Sequence, residues 1–109
     1  MELRELQKAA TELIEEFDAI YKTKHDSSTT MLHLVEEFGE LARELYNEKS
    51  GRGQLKKEHV AEEIADIYLL LAQLAKCYDI EVGKAVETKI SELKERHEKY
   101  KQKATSAKV

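Results

Sequence analysis

The chain has 109 residues, with 18 basic and 22 acidic side chains, a formal net charge of -4, no Pro, four Gly and one Cys. This length fits one domain, and one Cys cannot form an intrachain disulfide, which excludes a disulfide-stabilised scaffold and favours a cytoplasmic location. The mild acidity argues against nucleic-acid binding, and no stretch is apolar enough to predict a membrane span. Because helix-breaking residues are few, we expect an all-α fold.

Apolar residues spaced three and four apart predict the first two helices. The first helix spans about residues 2–24 and carries one apolar stripe on an otherwise charged surface. Residues 25–30 favour turns and helix N-caps, so they separate this helix from a second one over about residues 30–47. The apolar face of the second helix is built on Leu34, Phe38, Leu41 and Leu45.

A flexible loop and two further helices complete the prediction. Residues 47–57 include two glycines and few apolar side chains, which is typical of a loop. The third helix, about residues 58–78, is apolar on nearly every side and is therefore expected to be central. The fourth helix spans about residues 81–103. Its stripe consists of Val82, Val86, Ile90, Leu93, His97 and Tyr100.

The domain is expected to cover residues 1–103, with residues 104–109 as a disordered tail. Four helices in one copy can scarcely cover an apolar third helix, so we expect a homodimer or a homotetramer.

Two acidic pairs lie on the second and third helices. Glu37 and Glu40 are three residues apart, as are Glu63 and Asp66, so each pair projects from one side of its helix. Asp66 lies in the most apolar segment, where an unpaired carboxylate would cost on the order of several kcal/mol. If the two helices form an antiparallel hairpin, the four carboxylates converge into a site for a hard divalent cation, Mg²⁺ or Mn²⁺.

Other interpretations of these acids are open at this stage. Asp66 could instead be buried against a Lys or Arg, Glu62 is expected to be a solvated charge, and the role of Glu36 is undecided. A di-iron carboxylate site needs Glu-x-x-His, and no histidine here has a Glu three residues before it. Zinc is not indicated because Cys77 has no partner at ligand spacing.

The combination E-E-x-x-E from Glu36 and E-x-x-D from Glu63 resembles the signature of the MazG-like nucleoside triphosphate pyrophosphohydrolases. The resemblance spans about residues 25–96 and depends on both halves occurring together. It implies an all-α four-helix bundle completed by oligomerisation. It also implies Mg²⁺-dependent cleavage of a (d)NTP between the α- and β-phosphates, which releases a nucleoside monophosphate and pyrophosphate in nucleotide-pool housekeeping.

Site residues follow from the resemblance position by position. The metal ligands would be Glu37, Glu40, Glu63 and Asp66. Glu37 is in addition the catalytic residue that we expect to orient the attacking water.

The resemblance also implies three substrate-binding residues: His25, Lys89 and Arg96. The two basic side chains would bind phosphates, and each of the three residues could instead be an ordinary surface side chain. Leu93, Asn47 and Leu70 depart from residues that relatives use near the phosphates and the base, so the preferred base is open.

Two other functions are compatible with the sequence. One is phosphoribosyl-ATP pyrophosphohydrolase-like activity, which shares the metal site and the bond that is cleaved but differs in substrate. The other is a non-catalytic helical interaction module with a vestigial metal site.

Overall fold

The chain forms four α-helices joined by short loops in a computed structural model that describes residues 1–107. The helices are α1 (Leu3–Tyr21), α2 (Ser27–Lys49), α3 (Lys57–Cys77) and α4 (Val82–Ala107). No strand occurs within these residues, which confirms the all-α fold. None of the four helices combines the length and the apolar character needed to span a membrane, over the part of the chain that is described.

The turn between α1 and α2 lies earlier in the chain than the sequence predicts. Helix α1 ends at Tyr21 because Lys22 adopts the left-handed conformation, with φ of 55°. Helix α2 then begins at Ser27, because the carboxylate of Asp26 accepts a hydrogen bond from the backbone N–H of Thr29 at 2.9 Å. The predicted break therefore contributes a capping residue and the first turn of α2.

Helices α2 and α3 form an antiparallel hairpin, which is the condition under which the sequence predicts that the two acidic pairs converge. Gly51, in the connecting loop, has φ of 77°, a conformation that favours glycine. Helix α3 packs against both α2 and α1, which confirms its central position. The hairpin sets the register of the acidic residues on its two arms.

The turn between α3 and α4 is held by a side chain from α1. Asp79 takes the left-handed conformation, with φ of 55°. Gln7 of α1 donates through Nε2 to the carbonyl oxygen of Ile80 at 2.9 Å and accepts from the backbone N–H of Val82 at 2.8 Å. Gln7 is buried and thereby satisfies the first free N–H of α4.

Helix α4 extends away from the other three helices, and the side chains of residues 84–105 are all exposed. The helix continues through residues 104–107, where the sequence predicts a tail, because no Pro or Gly ends it. Residues 108–109 lie outside the described residues, and the limits of the domain stay a prediction.

The buried core is small and partly polar. Its buried apolar side chains, among the described residues, are Ala10, Leu34, Ile67 and Ala72. Several side chains of the predicted apolar faces stay accessible instead. Ile64, on the outward side of α3, is 57% exposed, and Phe17 and Phe38 are about half exposed. Helix α3 is thus central but not enclosed within one copy.

Candidate metal centre

The α2–α3 hairpin brings acidic side chains from its two arms together. Glu37 of α2 and the pair Glu63 and Asp66 of α3 each offer one carboxylate oxygen, and these three oxygens lie within 4.8 Å of one another. Glu40, about one turn after Glu37, is exposed and lies outside this group of three. We call the four predicted ligands, Glu37, Glu40, Glu63 and Asp66, the acidic centre.

Glu63, rather than Asp66, is the buried acid of the centre. Glu63 is only 8% exposed, whereas Asp66 is exposed beside Ile64 and Ala65 on the outward side of α3. The expectation that Asp66 is buried in an apolar segment is therefore wrong for a single chain. The physical reason is that the apolar residues around Asp66 are themselves uncovered.

The carboxylate of Glu63 has an unsatisfied oxygen. Its Oε2 is buried and has no hydrogen-bond partner among the described residues. No Lys or Arg in the described part of the chain forms an ion pair with any member of the acidic centre. A buried, unpaired carboxylate oxygen is costly, and a divalent cation would satisfy it.

The pKa of Glu37 shows how closely the four acids interact. Burial raises this pKa, and so do the charge of Glu40, the hydrogen bond with Glu63 and the charges of Glu63 and Asp66. The pKa of Glu37 is thus raised by all three other members of the centre, including Glu40. A divalent cation among them would favour the ionised carboxylates that this repulsion disfavours.

The neighbouring acids Glu36 and Glu62 are exposed and belong to neither group of candidate metal ligands found in the described residues. Exposure is what we expect of Glu62 as a solvated charge. The role of Glu36 stays undecided.

A second group of candidate ligands lies on the other side of Glu63. Glu44 of α2, His59 of α3 and Glu63 offer ligand atoms within 4.8 Å of one another. His59 Nε2 lies 3.0 Å from Glu44 Oε1 and 3.4 Å from Glu63 Oε1. We call these three residues the histidine group.

Sequence reasoning missed the histidine group, although it left a signal. His59 precedes Glu63 by four residues, a spacing that places both side chains on one face of a helix. The hydrogen bond to Glu44 and the charge of Glu44 raise the pKa of His59, with smaller contributions from Glu63 and Glu62 against the opposing effect of burial.

His25, a predicted substrate-binding residue, lies at the junction of α1, α2 and α3. Its Nδ1 is 2.8 Å from Asp18 Oδ1, and its backbone carbonyl accepts a hydrogen bond from Gln73 Nε2 at 3.1 Å. Its ring meets that of His33 edge-on at 5.2 Å. These contacts hold the loop before α2. His25 does not belong to the acidic centre. Its role in binding substrate stays a prediction.

The two predicted phosphate-binding residues lie on the exposed part of α4. Lys89 lines an open, largely apolar groove of about 930 Å³ and forms an ion pair with Glu92 at 3.2 Å. No member of the acidic centre lines that groove. Arg96 is exposed further along α4. No ion pair within the described residues joins Lys89 or Arg96 to a member of the acidic centre. Their substrate role stays a prediction.

A comparison with protein families matches a large part of the chain. The model described as the MazG nucleotide pyrophosphohydrolase domain matches residues 25–101. No curated protein and no solved structure matches the chain. The family match includes the whole α2–α3 hairpin and with it both acidic pairs.

Proposed function

Because the chain belongs to the MazG nucleotide pyrophosphohydrolase family, we propose that it hydrolyses a (d)NTP between the α- and β-phosphates. The products would be a nucleoside monophosphate and pyrophosphate. The observation that carries this proposal is the buried Glu63, whose Oε2 has no hydrogen-bond partner in the described part of the chain and whose carboxylate lies beside those of Glu37 and Asp66. Such a site suits a cation that binds phosphate oxygens.

Mg²⁺ is the proposed cofactor, with Mn²⁺ as a substitute, held by Glu37, Glu40, Glu63 and Asp66. Their ligand atoms are all carboxylate oxygens, the type that these cations prefer. When bound, Mg²⁺ would neutralise charge on the triphosphate and lower the pKa of a coordinated water.

Glu37 is the proposed catalytic residue. Its carboxylate lies among the other three acids and is half-buried, so it can orient a water and accept its proton as the water oxygen bonds to phosphorus. The phosphoanhydride bond then breaks, and the electron pair leaves with the departing phosphate oxygen. The acids of α3 hold the centre in place from the opposite arm of the hairpin.

His25, Lys89 and Arg96 are the proposed substrate-binding residues. Lys89 and Arg96 supply positive charge for phosphate groups, and both project from the exposed length of α4. Since no ion pair joins them to the acids within the described residues, and one copy leaves apolar side chains of α3 and α4 exposed, we propose that a homodimer or homotetramer completes the site at a subunit contact. The cytoplasmic location, the absence of nucleic-acid partners and the housekeeping role stay predictions.

A substrate panel tests this function. The protein is incubated with Mg²⁺ and, separately, dCTP, dUTP, dTTP, ITP or phosphoribosyl-ATP, and the products are identified by chromatography and ³¹P NMR. We expect monophosphate and pyrophosphate in equal amounts from at least one triphosphate, and none in excess EDTA. Hydrolysis of phosphoribosyl-ATP alone would favour that alternative activity. Release of orthophosphate, or no turnover of any compound, would contradict the proposal.

A further inference from the structure

The histidine group contains more hydrogen-bond acceptors, the carboxylate oxygens of Glu44 and Glu63, than hydrogen-bond donors. His59 Nε2 can donate one hydrogen, yet it faces oxygens of both Glu44 and Glu63. The remaining oxygens, Oε2 of Glu44 and Oε2 of Glu63, are buried and have no partner among the described residues. Two carboxylates thus converge on one imidazole without enough donors to satisfy them.

The spacing of these atoms fits ligands of one metal ion. Metal–nitrogen and metal–oxygen bonds of about 2.0–2.2 Å, at ligand–metal–ligand angles from 90° to about 109°, place two ligand atoms about 2.8–3.6 Å apart. The two His59 contacts measure 3.0 Å and 3.4 Å. His59 is 46% exposed in its side chain, so an ion has access from solvent, while Glu63 anchors the buried side.

We propose that Glu44, His59 and Glu63 form a second metal site that takes a divalent transition metal such as Co²⁺, Zn²⁺ or Mn²⁺. An imidazole nitrogen with two carboxylates suits these ions better than Mg²⁺, which prefers oxygen ligands alone. Glu63 would be shared, with one side facing Glu37 and Asp66 and the other facing His59. The site uses three ligands from the chain and leaves further coordination positions for water.

This proposal does not depend on nucleotide hydrolysis, because the metal alone is the probe. Calorimetric titration of the full chain with Co²⁺ should show two sites per chain, and titration with Mg²⁺ should show one. His59→Gln and Glu44→Gln should each weaken the second Co²⁺ site by more than about tenfold and leave Mg²⁺ binding in place. His97→Gln is the matched control, since it removes an exposed imidazole from α4.

The unmodified chain provides an independent measurement. Paramagnetic Co²⁺ should shift and broaden the NMR signals of the His59 ring before those of the other three histidines. One Co²⁺ site in the unmodified chain, or two sites that survive His59→Gln, would overturn the proposal. Equal weakening by His97→Gln and His59→Gln would also overturn it, because it would indicate adventitious binding to imidazoles. If Glu40→Gln loses Mg²⁺ binding but keeps the second Co²⁺ site, that result would support the proposal, because it would show that the histidine group binds metal separately from the acidic centre.

Discussion

Glu63 is a buried acid that lies among other acids, so both its burial and its neighbours disfavour its negative charge. It is nearly enclosed between α2 and α3, yet its near neighbours include the acids Glu37, Asp66 and Glu44. One of its carboxylate oxygens has no hydrogen-bond partner within residues 1–107. Such an arrangement costs stability unless a cation compensates it. The acidic centre is therefore expected to destabilise the metal-free chain and to stabilise the metal-bound one.

Glu37→Gln tests this conflict directly. Because the folded protein raises the pKa of Glu37, ionisation of this carboxyl costs stability as pH rises above its unfolded value of 4.5. At pH 7 in EDTA, the variant should be more stable than the wild type by about 0.5 kcal/mol, the scale of like-charge repulsion on a helix. The difference should disappear below pH 4.5. Urea unfolding measures it.

Magnesium should reverse this order of stability. At a concentration about 100 times its Kd, Mg²⁺ stabilises a protein that binds it by about 2.7 kcal/mol, and the variant should gain much less. The control is Glu36→Gln, which removes the adjacent exposed acid. A Glu37→Gln variant that is less stable than wild type in EDTA, or that responds equally to Mg²⁺, would contradict this interpretation.

Asp18 is the residue that ties the His25 loop to α1. Burial acts to raise its pKa, but hydrogen bonds from Thr23 and His25 and the charge of His25 together lower it. A lowered pKa means that the stabilisation is present above the unfolded value of 3.8 and is lost as pH falls through the folded value. The interaction therefore contributes at neutral pH.

We expect Asp18→Asn to lower the free energy of unfolding by about 1 kcal/mol at pH 6, because the substitution removes the charge-assisted hydrogen bonds of the Asp18 carboxylate. The deficit should shrink as pH falls below 3.8. Thermal unfolding across pH measures it, with Glu16→Gln as an exposed control on the same helix. An equal deficit at pH 3 and pH 6 would show that the charge of Asp18 is not the cause.

Residue spacing predicted part of the site well. The E-x-x-E and E-x-x-D pairs identified which acids share a helix face, and the hairpin brought three of them within reach of one ion. Spacing could not tell that Glu63 is covered and Asp66 is not, because coverage depends on the neighbouring helix. The contact between His59 and Glu44 was missed for the same reason, since it depends on the register of the hairpin.

At the scale of the elements, the start of α4 is tied to α1 by the side chain of Gln7. Its first turn is fixed by Gln7 of α1, which donates to Ile80 and accepts from Val82. Periodicity predicted the helix itself, and the glycines predicted the loop between α2 and α3. Nothing in the periodicity indicated that a glutamine on α1 would hold the start of α4, because that contact joins residues far apart in the sequence.

We expect Gln7→Ala to lower the free energy of unfolding by about 2 kcal/mol, because it leaves the partly buried Ile80 carbonyl and the Val82 N–H without their Gln7 partner. Hydrogen exchange should accelerate in the first turn of α4 while the α2–α3 hairpin keeps its protection. The control is Gln102→Ala on the exposed part of α4. Uniform acceleration over all four helices, or none in α4, would show that Gln7 does not act locally.

The whole molecule is too extended for a self-contained domain of its length. Its radius of gyration is 18.8 Å, whereas a compact chain of this length has about 13 Å. Its accessible surface is 8891 Å², against about 6,200 Å² for a folded monomer of this mass. Much of the excess is apolar, including Ile64, Ile90 and Leu93. These values support the proposed homo-oligomer.

Sedimentation should therefore give two or four times the chain mass of 12.6 kDa. Leu93→Asp places a charge in the exposed apolar stripe of α4 and should shift the species towards monomer by at least about tenfold in dissociation constant. Lys94→Glu, at the adjacent exposed position, is the control. A monomeric wild type that hydrolyses its substrate would refute assembly as a requirement of the site.

The central claim is that the acidic centre holds the Mg²⁺ used to hydrolyse a nucleoside triphosphate. The most direct measurement compares Mg²⁺-dependent pyrophosphate release by Asp66→Ala and by Glu62→Ala, an exposed acid outside the centre. With the best triphosphate of the panel and helicity confirmed by circular dichroism, Asp66→Ala should lose at least about 100-fold in rate. Glu62→Ala should keep the wild-type rate. Wild-type turnover by Asp66→Ala would contradict the claim.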